Sequence, residues 1–179
     1  MIDSLFVYIF LVTGLLPDGS PLWLIPEGLV HEAPTKCILG NGVVVDPKLL
    51  LADFANLEKN NIDYTDRLLI SQRAHLVTAF HTKITERLKS IREEDGVWLS
   101  PTDIAYAYKP LKMGLRMSSL HHPWPLFKET YDRINNTAEK LFRVELSKEE
   151  READLEAFQK LRDIVRSNQM IHDTSLILT

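Results

Sequence analysis

The stretch Cys37 to Pro47, CILGNGVVVDP, does most to limit what this chain can fold into. A short run of β-favouring apolar residues enters a Gly-Asn-Gly turn, a second apolar run leaves it, and Asp-Pro follows. Asp46 can accept from the first free N–H groups of a helix. Pro47 suits the first helical position, where its missing N–H costs nothing. The helix so opened runs through LLLADFANLEKN. Strand, turn, extended run and helix start in one short segment point to an α/β chain.

The flanking segments fit that frame. LFVYIFLVTGLL, Leu5 to Leu16, is rich in Val, Ile, Phe and Tyr and is expected to be a buried strand. It is shorter than the ~20 residues a membrane-spanning helix needs. Asp3, and no Lys or Arg, precedes it, which argues against a secretory signal. LPDGSPLWLIP, Leu16 to Pro26, reads as a hairpin turning at Asp18-Gly19. Arg67 to Ser71, RLLIS, is a short apolar run bounded by polar residues and predicts a buried strand. From Gln72 the period becomes helical, with Leu76, Val77, Phe80, Ile84, Leu88 and Ile91 on one face and Gly96 as the stop. Val97 to His122 has a loop-like composition. Two more helices are expected, Leu126 to Val144 and Ser147 to Met170, the second marked by the capping-box spacing of SKEE. The expected class is α/β, a few N-terminal strands followed by mostly helices.

The chain's 179 residues suffice for one domain with a sizeable core, since a chain of this length buries roughly 70% of its unfolded surface. A net charge of −4 without a dense Lys/Arg stripe argues against nucleic acid as a partner, and the short apolar run argues against a membrane. A single cysteine fits a reducing compartment, so a cytoplasmic location is expected.

Several residues invite a chemical reading. Gly40, Asn41 and Gly42 resemble a phosphate-holding loop, but the helix starts several residues later and no Lys-Ser or Lys-Thr follows. A tight structural turn needing φ > 0 is the better reading. His75 and His81 are six apart on the expected helix, which does not place two ligands on a common face, and His121 and His122 are adjacent. No metal site is expected, and no elbow motif supports a hydrolase triad. KPLKMGLR, Lys109 to Arg116, could meet an anion, although three positive charges are more often a solvated surface.

Three segments taken together resemble the adenylosuccinate synthetase family. LIPEGLVHEAPTKCILGNGVVVDP is similar to the family's stretch from L-I-P-S-G-I to I-G-N-G-V-V-x-x-P. RLLISQRAHLVTAFH is similar to R-L-x-I-S-D-R-A-H-L-V-x-D-x-H, and YAYKPLKMGLRMSSL to the end of a T-T-x-x-G-I-G-P-x-Y-x-x-K-x-x-R-x-G-x-R element. Order and spacing agree, and the likeness runs from about Asp18 to about Arg166, so the whole chain reads as one synthetase-like region and an incomplete piece of that P-loop-like fold.

The resemblance implies an enzyme of purine nucleotide synthesis that joins IMP and aspartate to make the precursor of AMP. GTP and Mg²⁺ serve it, the purine 6-oxygen is phosphorylated first, and the enzyme is a homodimer. It also implies what this chain lacks. The family's G-D-E-G-K-G type phosphate loop has no counterpart. Its G-H-T, with the catalytic histidine, should fall near Val12-Thr13-Gly14, where no histidine stands. The segments binding aspartate and guanine would lie beyond Thr179. No catalytic residue is therefore expected here.

Position by position, the family's IMP-contacting threonine falls on Trp98, and its G-I-G-P on Pro101 to Ile104. Its arginine that crosses the dimer interface to the neighbour's IMP phosphate falls on Lys112, which keeps the charge without the bidentate fork. Lys109 and Arg116 match and are expected to support. By the same resemblance GNG is a scaffold turn beside the active-site cleft. Two roles follow, a synthetase piece inactive alone or a non-catalytic partner of a full-length synthetase. A third reading, an independent interaction module, would not leave an open sheet edge at the N-terminal strand.

Overall fold

The computed structural model describes residues 5–8, 14–31, 35–91 and 99–176. Its centre is a four-stranded parallel sheet in the order β1 (Leu5–Tyr8), β4 (Lys36–Leu39), β6 (Leu68–Ser71), β9 (Ile171–His172). Among the described residues β1 is one edge of this sheet. Of the run Leu5 to Leu16 expected as one strand it takes only Leu5–Tyr8; residues 9–13 lie outside the described part, and Gly14–Leu15 belongs to a separate strand. β6 is buried at all four positions, as its continuous apolar sequence requires of an interior parallel strand. β2 (Gly14–Leu15) and β3 (Pro21–Leu22) form the expected hairpin, with Gly19 at φ 80° in its turn. β5 (Val44–Val45), β7 (His75–Leu76) and β8 (Leu115–Arg116) make a second, three-stranded sheet.

Two of the helices start where the sequence signals say. Asp46 accepts from Lys48 N–H at 2.8 Å and caps α1 (Pro47–Lys59). A full capping box between Ser147 and Glu150 opens α5 (Lys148–Ser167). α4 (Trp124–Phe142) begins two residues earlier than its periodicity suggests, because Pro125 fits a first helical turn. The main core joins the sheet to α1, α4 and α5 through Leu39, Ile70, Phe54, Phe127, Phe158 and Leu161.

Two expectations are corrected. The helix expected from Gln72 begins only at Ala79, as α2 (Ala79–Ile91), and His75 and Leu76 are instead strand β7, held between β5 and β8. A short apolar segment cannot be told from the start of a helix by period alone. Within Val97 to His122 there is a helix, α3 (Pro101–Tyr108), where a loop was expected. Ser100 and Asp103 form its capping box, Pro101 sits in its first turn, and Ile104 and Tyr108 bury against Phe80 and Ile84 of α2. Gly96 and Trp98 lie outside the described residues.

Candidate functional site at the carboxyl edge of the sheet

The GNG segment leaves the carboxyl end of β4 as a four-residue turn, Val43 N–H donating to Gly40 O at 3.1 Å. Gly19 is the only glycine with positive φ among the described residues, so the expectation of φ > 0 at Gly40 or Gly42 is corrected. A turn closed by this i to i+3 bond is open to right-handed residues.

Asn41 is the centre of a polar cluster. Its side-chain carbonyl accepts from Ser71 Oγ at the end of β6 and from Thr174 Oγ1, just past β9, at 3.2 Å. Its backbone carbonyl accepts from Lys109 Nζ. Ser71 Oγ also accepts from Arg73 N–H at 3.1 Å. One asparagine thus ties together the carboxyl ends of three parallel strands and the cation at the end of α3.

Lys109 and Arg116 face the same neighbour, His75. Burial, then these two cations, push the His75 imidazole down to about 4, so it is neutral at ordinary pH. Burial and Arg116 hold Lys109 below the usual lysine value. His75 also fixes Gly114. A Cβ there would stand 2.7 Å from His75 Cδ2, so the glycine of KMGLR allows close approach of backbone to ring. Behind this layer His81 accepts from Thr78 N–H through Nδ1 at 2.8 Å, which leaves the proton on Nε2. Burial pushes His81 down to about 4 as well. Tyr108 meets its ring edge-on at 5.1 Å, a packing use of that side chain.

Lys112 stands apart from this group. It is exposed, at φ 56°, and lines a groove of about 340 Å³ with Arg133, Thr130, Thr137 and Ile134 of α4. The three basic residues of KPLKMGLR therefore divide between two places, Lys109 and Arg116 near the sheet edge and Lys112 at the α4 groove. Among the described residues no three His, Cys, Asp or Glu side chains gather to hold a metal ion.

Reading the sequence missed Ser71 and Thr174 as partners of Asn41. For Ser71 the signal was present, since it ends a short apolar strand of a parallel sheet, and ligands in such sheets meet the carboxyl ends of strands. It also missed β9, whose two residues are too few to show a period.

These features define a class, an open parallel α/β unit with a polar cluster along the carboxyl edge of its sheet. The chain belongs to the adenylosuccinate synthetase family, whose model, "Adenylosuccinate synthetase", matches residues 19–179. Similar relatives carry that name. One from Desulfitobacterium hafniense is 32% identical over 162 residues, covering 87% of this chain and 38% of its own length. One from Bifidobacterium animalis subsp. lactis is 34% identical over 169 residues, 90% of this chain and 37% of its own. One from Acetivibrio thermocellus is 42% identical over 101 residues, 55% of this chain and 23% of its own. A solved structure, of fully ligated adenylosuccinate synthetase from Plasmodium falciparum, matches the fold at a TM-score of 0.79 and 21% identity, over 98% of this chain and 42% of that one. The chain thus spans less than half the length of these relatives.

Proposed function

We propose that residues 1–179 act as one synthetase-like region that supplies the sheet-edge scaffold and a subunit-contact surface of an adenylosuccinate synthetase. The reaction served is the GTP- and Mg²⁺-dependent joining of IMP and aspartate in cytoplasmic AMP synthesis, and the chain alone does not catalyse it. The observation that carries this reading is the family match over 19–179. The inactivity rests on the sequence, which has no G-D-E-G-K-G loop and no histidine near Val12 to Gly14. Positioning and electrostatic stabilisation are the main sources of rate in phosphoryl transfer, and both depend on those groups.

Lys112 would keep a weakened contact to the IMP phosphate of a neighbouring subunit. Its exposure on the α4 groove, beside Arg133, supports that role. The same observation favours a second reading, a non-catalytic partner of a full-length synthetase, over an isolated fragment. Lys109 and Arg116 would support the cleft, Lys109 by holding the Asn41 turn.

The test is to supply the purified chain with IMP, aspartate, GTP and Mg²⁺, then repeat with a full-length synthetase present. No adenylosuccinate from the chain alone, and co-elution with the synthetase at fixed stoichiometry, are the expected results. Lys112→Glu should weaken that co-elution. Turnover by the chain alone would overturn the proposed inactivity, and a lone monomer under all conditions would overturn the partner role.

A further inference from the structure

The face of the four-stranded sheet turned away from the main core carries a pocket. Side chains alternate along a strand, and the register pairs Cys37 with Leu68, Ile38 with Leu69 and Ser71 with His172. Cys37, Leu39, Leu68 and Ile70 belong to the main core, so Lys36, Leu69 and His172 share the opposite face. These three line a pocket of about 360 Å³ together with Asp66, Asn168 and Gln169. Two backbone bonds bring the lining together from separate segments. Cys37 N–H donates to Arg67 O at 2.8 Å, which brings the residues before them, Lys36 and Asp66, alongside each other at the amino ends of β4 and β6. Ile70 N–H donates to Met170 O at 2.7 Å, which sets the turn after α5 beside Leu69.

The lining is chemically mixed. Leu69, 9% exposed, gives an apolar floor. Lys36 and Asp66 bring opposite charges to one pocket, yet neither makes an ion pair or a side-chain hydrogen bond among the described residues. Asn168 uses its Nδ2 on Ile164 O at 3.0 Å, which leaves its side-chain carbonyl as an acceptor. Gln169 follows the end of α5 at φ 48°, its N–H donating to Arg166 O at 3.2 Å while Met170 N–H donates to Val165 O at 2.9 Å. A helix end closed by this pair of bonds takes glycine most readily. Glutamine there carries a backbone cost, and what it adds is a carboxamide on the pocket wall.

We infer that this pocket binds a free α-amino acid with an apolar side chain, its carboxylate on Lys36, its ammonium on Asp66 and its side chain over Leu69. A zwitterion meets both unpaired charges with charge-assisted bonds, whereas a simple anion or cation satisfies one and is repelled by the other. Pairing directly with each other at the surface would gain the two side chains little, so a ligand competes with nothing strong. The free Asn168 carbonyl and the carboxyl end of α5, negative by its dipole, reinforce the ammonium end. His172, two residues beyond Leu69 in register, bounds the pocket where the ligand's side chain lies. Ligand pockets run from about 300 to 1,000 Å³, and this one stands at the small end, as a single amino acid requires. Lys36 and Asp66 sit at the amino ends of the strands, away from the Asn41 cluster at the carboxyl ends, so the inference does not rest on the proposed synthetase role.

The experiment is amide NMR on the whole chain, titrated with leucine, with N-acetylleucine, which lacks the ammonium, and with leucinamide, which lacks the carboxylate. Saturable shifts at Leu69, Asn168 and Gln169 are expected with leucine. The two blocked probes should bind about tenfold or more weaker, each having lost one charge-assisted bond. Lys36→Gln should weaken leucine by a similar factor and leave the affinity for leucinamide as it was. Asp66→Asn, which tolerates the left-handed backbone at φ 57°, should weaken leucine and leave N-acetylleucine as it was. Lys140→Gln, a cation elsewhere on the surface, should change nothing. The absence of a saturable shift with leucine would overturn the proposal, as would equal affinity for the three probes. So would unchanged leucine affinity in both pocket variants, with the amides of Ile38 and Ile70 confirming that they are folded.

Discussion

His75 shows how one side chain can set several others. Its ring touches the space that a Cβ at Gly114 would need, it neighbours Lys109 and Arg116, and it stands near His81. Both rings are held neutral down to about pH 4, while the same imidazoles in the unfolded chain take up protons around pH 6.5. Between those values the unfolded state binds more protons than the folded one, so stability rises with pH through the window and falls as the solution is acidified. The carboxylates titrate mostly below it, so the range from about pH 6.5 to 5 reports on histidines. Urea midpoints across that range should fall with decreasing pH. His75→Leu should make the fall shallower by up to about 1.4 kcal/mol per pH unit, one titrating group's share. An unchanged slope would mean that His75 is protonated in the folded state. Gly114→Ala should cost about 1–3 kcal/mol at any pH, since the ring must move aside.

Among the helices, Asp154 of α5 is the joint. Its buried carboxylate accepts from Ala79 N–H at the start of α2 at 3.0 Å and from Tyr131 OH of α4 at 2.8 Å. Burial raises its pKa, opposed by those two donors, and the cost of burying the group is offset only while both bonds hold. Removing the carboxylate orphans two donors, whereas removing the tyrosine hydroxyl orphans none. Asp154→Ala should therefore cost about 3 kcal/mol or more, and Tyr131→Phe about 1 kcal/mol. Equal losses in denaturant melts would show that the α2 cap contributes nothing. Much of this layer could be read from the chain. The Asp46-Pro47 and Ser147-Glu150 starts place α1 and α5, because caps act through local geometry. The same kind of start, Ser100-Pro101-Thr102-Asp103, opens α3, but eight residues among prolines and tyrosines give too short a period, and packing against α2 decides the matter. The bonds from Asp154 to Ala79 and from Asn41 to Thr174 join residues far apart in sequence, which no local pattern encodes.

The molecule as a whole is a sheet with a stable middle and tethered margins. β4 and β6 are paired on both sides and buried, while β1 and β9 have one strand neighbour each among the described residues. The β2–β3 hairpin pairs only two residues on each strand. What holds the chain after it is Asp53, fully buried on α1, which accepts from Trp23, Leu24 and Ile25 N–H at 2.8, 2.7 and 2.8 Å. A carboxylate on the apolar face beside Leu50, Phe54 and Leu57 makes sense only with such donors to receive it. Local opening should follow this division, since weakly paired segments exchange first unless something outside the ladder fixes them. In hydrogen exchange, the amides of Ile38, Leu39, Leu69 and Ile70 should be slowest. Those of Leu24 and Ile25 should be nearly as slow despite lying outside any strand. In Asp53→Asn one acceptor oxygen becomes an NH₂ facing N–H groups, so Leu24 and Ile25 should exchange at least about tenfold faster, for the loss of roughly 1.4 kcal/mol or more of local protection. Ile38 and Ile70 should change by no more than the loss in global stability. If Leu24 and Ile25 exchanged freely in the unaltered chain, the hairpin and the segment after it would be held by apolar burial alone, and Asp53 would be a cost the fold carries without return.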